Sequence, residues 1–190
     1  MNWMKKVAVA LVCLLPLGLQ AAKVDTLQVK SPSMNKSIEV VVVSPDVAAT
    51  KACPVIYLLH GYGGNARTWV GIKPDLSKIA DEKGIFFVCP DGKNTWYWDS
   101  PLNADVRYET FISDELVKYV DSHYKTVADR KGRAITGLSM GGHGAMWNGL
   151  RHSDVFSAAG STSGGVDIRP FPKNWEMSCL LYTSPSPRDR

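Results

Sequence analysis

The stretch ITGLSMGGHGAM, Ile135 to Met146, constrains this chain more than any other. An apolar β-type run leads into Gly137-Leu138-Ser139-Met140-Gly141, and a helix-like segment follows. In a Gly-x-Ser-x-Gly turn of this kind the serine occupies a strained corner between strand and helix, and the glycines two residues away on either side relieve the crowding. The bare pattern is weak: with glycine and serine each near 7% of residues, it arises by chance in roughly one chain of this length in twenty. The context carries the weight. At the start of the following helix the backbone N–H of Met140 points at a forming oxyanion with the helix dipole behind it. Ser139 is therefore the candidate nucleophile.

The segments around it set the fold class. VDTLQVKS and SIEVVVVSP are β-branched runs separated by SPSMNK, which predicts an opening hairpin. PVIYLLHG and IFFVCPDG are continuously apolar, as parallel strands covered on both faces are. PDLSKIADEKG between them reads as a helix ending at its glycine. FISDELVKYVDSHY places Ile112, Leu116, Tyr119, Val120 and Tyr124 at helical spacing, hence on one face of a sheet. RAITGLS, the helix MGGHGAMWNGLRH and the run VFSAAGSTSGG complete a β, α, β, α, β order. That order means an α/β fold with a mainly parallel sheet and helices on both faces.

The two ends stand apart. Lys5 and Lys6 precede an apolar run from Val7 to Leu19, followed by Ala21 and Ala22, so residues 1–22 read as a signal peptide, the run being too short to span a bilayer. Residues Cys179 to Asp189, CLLYTSPSPRD, match one reading frame of a transposase adapter used in sequencing libraries. Residues 178–190 are accordingly read as an adapter-derived tail, and 23–177 as one globular unit. Without Lys5, Lys6, Arg188, Arg190 and Asp189 the net charge of +4 falls to +1, which calls for neither a nucleic-acid nor a membrane partner. Cys53 and Cys89 sit at opposite ends of successive strands, roughly 20 Å apart at ~3.3 Å per residue, so two free, buried thiols are expected.

Further candidates fall on the loops after the strands. Leu59-His60-Gly61-Tyr62-Gly63-Gly64 supplies a glycine-rich loop whose backbone can approach a substrate closely, and the N–H of Tyr62 is assigned as the second oxyanion donor. Asn94 to Asp99, NTWYWD, follows a strand whose C-terminal end should share an edge with the serine turn, the edge at which open α/β sheets bind ligands. Trp96 and Trp98 there are candidates for a wall around an acyl group, with rim packing the alternative, and Asp99 is expected to fix the loop. His60, His123, His143 and His152 read as structural, and none makes a good base for Ser139. Asp167, only 28 residues beyond Ser139, is explained by turn chemistry. The motifs call for no cofactor and no metal.

Taken in order, LLHGYGG, CPDGKNTWYWDSP, the YETF helix start and ITGLSMGGHGAM resemble the esterase D-like branch of the α/β-hydrolases. That branch holds S-formylglutathione hydrolases, tributyrin and feruloyl esterases and the mycolyltransferases, and the likeness runs from Val24 to Met177, closest to secreted bacterial members. The resemblance implies an α/β-hydrolase fold without its last strands, a nucleophile at Ser139, oxyanion donors at Tyr62 and Met140, and an acid Asp and base His supplied beyond Met177. It implies a secreted or periplasmic serine carboxylesterase acting on acetyl, feruloyl or short-chain esters, small or polysaccharide-linked, and a 190-residue chain that is inactive for want of its base. The strand VFSAAGSTSG is expected to be left as an exposed edge. An acyltransferase of the mycolyltransferase type and a non-catalytic carbohydrate-binding protein are the alternatives.

Overall fold

The computed structural model describes residues 22–167, so the expected signal segment, apart from Ala22, and the adapter-like tail lie outside the described residues. Strands β1 (Lys23–Ser31) and β2 (Lys36–Ser44) form the predicted antiparallel hairpin. β3 (Val55–Leu59) is followed by the short helix α1 (Thr68–Ile72) and by α2 (Leu76–Lys83), and β4 (Phe86–Pro90) lies parallel to β3. α3 (Tyr108–Thr110), a π-helical turn (Phe111–Glu115) and α4 (Leu116–His123) run on as one helical arm. β5 (Arg133–Leu138), α5 (Met140–Arg151) and β6 (Ala158–Thr162) close the described chain.

The strands form one sheet in the order β1-β2-β4-β3-β5-β6. The pairings β4–β3, β3–β5 and β5–β6 are parallel, whereas β1–β2 and β2–β4 are antiparallel. The sheet is thus mixed, with its parallel half carrying the serine turn. Side chains alternate across β2: Val40 and Val42 enter one core, Val41 and Val43 the other, and all four are essentially without solvent. Each such burial contributes about 1.5–3 kcal/mol relative to exposure.

The core on the α3–α4 side is large and aromatic, with Tyr57, Phe86, Tyr108 and Phe111 packed against Ile112, Leu116 and Val120. The core under α2 is smaller, built from Leu58, Leu76, Ala80 and Phe87. The periodicity of the helical arm placed Ile112, Leu116 and Val120 on the buried face, where they lie fully covered, but did not show the π turn, within which Ser113 Oγ donates to the Glu109 carbonyl at 2.6 Å. Cys53 and Cys89 are free and buried. Among the described residues, no helix is long and apolar enough to cross a membrane, and β6 pairs only with β5 and exposes Ala158 and Ala159.

Candidate active site

Ser139 occupies the turn between β5 and α5 with φ 54° and ψ −116°, a conformation that L-residues other than glycine rarely adopt. Backbone approach creates this corner. A Cβ on Gly137 would stand 2.3 Å from the Gly141 carbonyl carbon, and one on Gly141 would stand 2.1 Å from the Leu59 carbonyl oxygen. Only residues without a side chain let α5 start this close to the end of β3. The strain is held by hydrogen bonds on both sides: Ser139 N–H donates to Thr162 O of β6 at 2.8 Å, and His143 N–H donates to Ser139 O at 3.0 Å. Its own N–H is spent on β6, and Met140 heads the 12-residue α5, whose first N–H groups have no partner within the helix. Ser139 itself is exposed while Met140, Gly141 and Gly142 are buried, so the structure presents one polar side chain from an otherwise closed corner.

The loop after β3 lies directly beside it. A Cβ on Gly61 would stand 3.5 Å from Ser139 Cβ. Gly64 N–H donates to Gly61 O at 3.0 Å, and Gly63 has φ +75°, which together make a type II turn with glycine at its obligatory left-handed position. Asn94, from the loop after β4, accepts the Gly63 N–H at 2.8 Å and ties the two loops together. The Tyr62 ring is half exposed, at 51%.

Beneath the turn lies His60, 1% exposed. Gly92 N–H points at its Nε2 from 3.0 Å, and since an amide can only donate, Nε2 is the acceptor and the proton sits on Nδ1. Nδ1–H therefore donates to the Gly61 carbonyl at 2.7 Å. Asp91 Oδ1 approaches Nε2 to 3.5 Å, but a nitrogen that accepts the Gly92 N–H has no proton to share, so the contact is not an ion pair. His143 uses Nδ1 on Gly165 O at 2.9 Å; burial holds its pKa below the ordinary value, partly opposed by that bond, and its buried Nε2 has no hydrogen-bond partner among the described residues. His123 stacks on Tyr119 and contacts its carbonyl, and His152 lies 2.9 Å from Glu109. All four histidines are engaged structurally, as their sequence positions implied.

Trp96 and Trp98 follow β4 as expected but do not stand open to solvent. Trp96 and Tyr97 have φ 59° and 61°, two aromatic residues in succession in the left-handed region. That double turn folds the side chains inward, leaving Trp96 and Trp98 only 7% and 4% exposed. Both indoles meet the His143 ring edge-on at 5.5 Å, and Trp147 stacks on that ring at 6.2 Å while meeting Trp98 edge-on at 5.7 Å. Asp99 fixes the loop, accepting from Thr110 N–H at 3.1 Å and from Thr110 Oγ1 at 2.5 Å.

Tyr97 with its partner Asn148, and Glu109, which sequence reasoning did not single out, organise the rest. Tyr97, fully buried, donates from its hydroxyl to His60 O at 3.1 Å, and its carbonyl accepts from Asn148 Nδ2 of α5 at 3.0 Å. Burial pushes the Tyr97 pKa well above its ordinary value, so it stays a donor. Its ring lies where a Cβ on Gly92 or Gly144 would be. Glu109 accepts from Trp147, Arg151 and His152 and clamps the far half of α5. Burial raises the Glu109 pKa, but the hydrogen bonds from Arg151, Trp147 and His152 and the Arg151 charge outweigh it, and the net shift is downward.

Sheet order, serine elbow and adjoining glycine loop make this an α/β-hydrolase arrangement, and the Esterase family model matches residues 31–186. The chain belongs to the Esterase family. Among its relatives, the Esterase Rv1288 of Mycobacterium tuberculosis is 31% identical over 149 residues, 75% of this chain, and an acetyl esterase of Caldicellulosiruptor saccharolyticus is 31% identical over 131 residues, 67% of this chain. The chain spans only 32% and 48% of the lengths of these two proteins. The solved structure of a ferulic acid esterase matches with a TM-score of 0.69 and 31% identity, over 86% of this chain and 67% of that one. Among the described residues no group of His, Cys, Asp and Glu is placed to hold a metal ion.

Proposed function

We propose that this chain carries the nucleophile and oxyanion site of a secreted or periplasmic serine carboxylesterase. Ser139 Oγ attacks the ester carbonyl carbon and gives its proton to a general base, which passes it to the departing alcohol. The carbonyl oxygen, now an oxyanion, rests on the N–H groups of Tyr62 and Met140. The alcohol leaves with a proton, and water then splits the acyl–serine bond to release the acid and restore Ser139. The observation that carries this reading is the exposed serine held at φ 54° beside the Gly61 turn, a conformation that costs on the order of 1–3 kcal/mol and that a purely structural serine has no use for.

The general base and its carboxylate partner belong, in this reading, to residues beyond the described ones, because all four described histidines are engaged elsewhere. Acetyl, feruloyl or short acyl esters, free or linked to polysaccharide, are the proposed substrates; the names of the acetyl esterase and the ferulic acid esterase support this range. Trp96 and Trp98 back the acyl site through the His143 ring and contact substrate only by their small exposed edges.

The test is fluorophosphonate labelling of the full-length protein, encoded by the gene read past the codon for Met177, with the adduct located by mass spectrometry. Label is expected on Ser139 and absent from Ser139→Ala; a folded protein that takes no label, or takes it elsewhere, would refute the reading. Products from a small acetyl ester, analysed with and without a sugar acceptor, should be mostly free acid. A majority of acyl-acceptor would mean a transferase.

A further inference from the structure

We infer that His60 is the positioning residue of the oxyanion site: it aims the Tyr62 N–H, and the Gly92 N–H selects the tautomer with which it does so. The inference rests on the assignment of Tyr62 as an oxyanion donor and goes beyond it by naming what holds that donor in place.

The chain of contacts is short. Gly92 N–H reaches Nε2 at 3.0 Å, which leaves the imidazole proton on Nδ1. Nδ1–H reaches the Gly61 carbonyl at 2.7 Å, and Gly64 N–H reaches the same oxygen at 3.0 Å, so both lone pairs of that oxygen are engaged. The Gly61 C=O and the Tyr62 N–H belong to one planar trans peptide and point in opposite directions. Fixing the carbonyl toward His60 therefore turns the N–H the other way, out of the turn whose Gly61 lies against Ser139. The peptide behind is held as well, since Tyr97 Oη donates to His60 O at 3.1 Å. His60 touches no reacting atom in this arrangement. It acts through one carbonyl.

A structural histidine that merely filled space would be indifferent to which nitrogen carries the proton, so the tautomer and two conservative variants decide the matter. In ¹H–¹⁵N NMR of the folded 190-residue chain, His60 is expected to show a protonated Nδ1 and a bare Nε2; the opposite tautomer overturns the inference. Asn places its amide nitrogen near the Nδ1 position and can keep the donor to Gly61 O, whereas Gln reaches only toward the Nε2 position. In His60→Asn the Gly61 carbonyl ¹³C and Tyr62 amide signals should stay near their wild-type positions; in His60→Gln both should move. Equal shifts in the two variants, or none in either, would overturn it too.

In the full-length protein, His60→Gln should lower kcat for a small aryl ester by about 10²–10³-fold, the effect of losing one oxyanion donor, with KM nearly unchanged. His60→Asn should recover most of that loss. A change in KM alone would count against positioning. If Ser139 takes no label, the esterase reading fails while the NMR result still decides the geometry of His60.

Discussion

Two strained turns meet at the same sheet edge and are held in different ways. At Ser139 one residue has a positive φ, and the residues two away on either side are glycines that let two backbones touch. At Trp96 and Tyr97 two successive aromatic residues have positive φ, and what holds them is the burial of their rings together with the bonds Tyr97 makes to His60 and Asn148. The elbow is strained because nothing larger than hydrogen fits beside it. The aromatic turn is strained because so much packs onto it. The first should fail when anything is added, the second when anything is removed.

Gly141→Ala is the severest addition. A Cβ 2.1 Å from the Leu59 carbonyl cannot be absorbed by a flexible side chain, because the contact is backbone. The variant is expected to lose at least ~4 kcal/mol, within the range reserved for exceptional core defects, and a urea titration should find it unfolded or nearly so. Wild-type stability in this variant would break the contrast.

Tyr97→Ala is the matching removal. It empties a fully buried aromatic site and frees the carbonyl of His60, for an expected loss of about 3–5 kcal/mol in the same titration.

Glu109 sharpens the comparison, since both turns lean on α5 and Glu109 clamps its far half. Its pKa is held below the ordinary value of 4.5 in the folded chain. Its contribution is therefore complete above that value and is lost as pH falls through the lower, folded value. Melting temperature should drop over that acid range in the wild type and drop less in Glu109→Gln, which starts from a lower plateau at neutral pH; parallel curves would remove Glu109 from the account.

Ser139→Gly is the smallest effect and opposite in sign. Relief of a positive φ should stabilise the chain by about 0.5–1 kcal/mol, a gain that only a site kept for chemistry would forgo. A loss of stability would mean that the serine side chain supports the fold.

The same contrast explains what the sequence disclosed. Gly137, Ser139 and Gly141 announce their turn because close approach leaves one residue type at each position. The strands were legible for a similar reason, since Val40 to Val43 are buried on two faces at once and admit little else. The inward fold of Trp96 and Trp98 was not legible, because an aromatic run reads alike on a rim and in a core, and the packing that decides between them comes partly from Gly144 and Asn148 of α5, far along the chain from the run itself. His60 was placed on the correct loop but its task was hidden: the donor that selects its tautomer comes from Gly92, 32 residues away. The π turn escaped as well, since helical spacing counts apolar residues and registers no extra one in a turn.

Tyr97 joins residues 37 and 51 positions distant along the chain, to His60 and to Asn148. Contacts of that span close long loops, whose entropic cost is met before the contact returns anything. They are expected to form late, on the native side of the folding barrier. Stopped-flow kinetics of Tyr97→Ala should then show faster unfolding at a nearly unchanged refolding rate. By that measure Tyr97 sets how long the serine corner persists once made, and has little influence on how soon it is made.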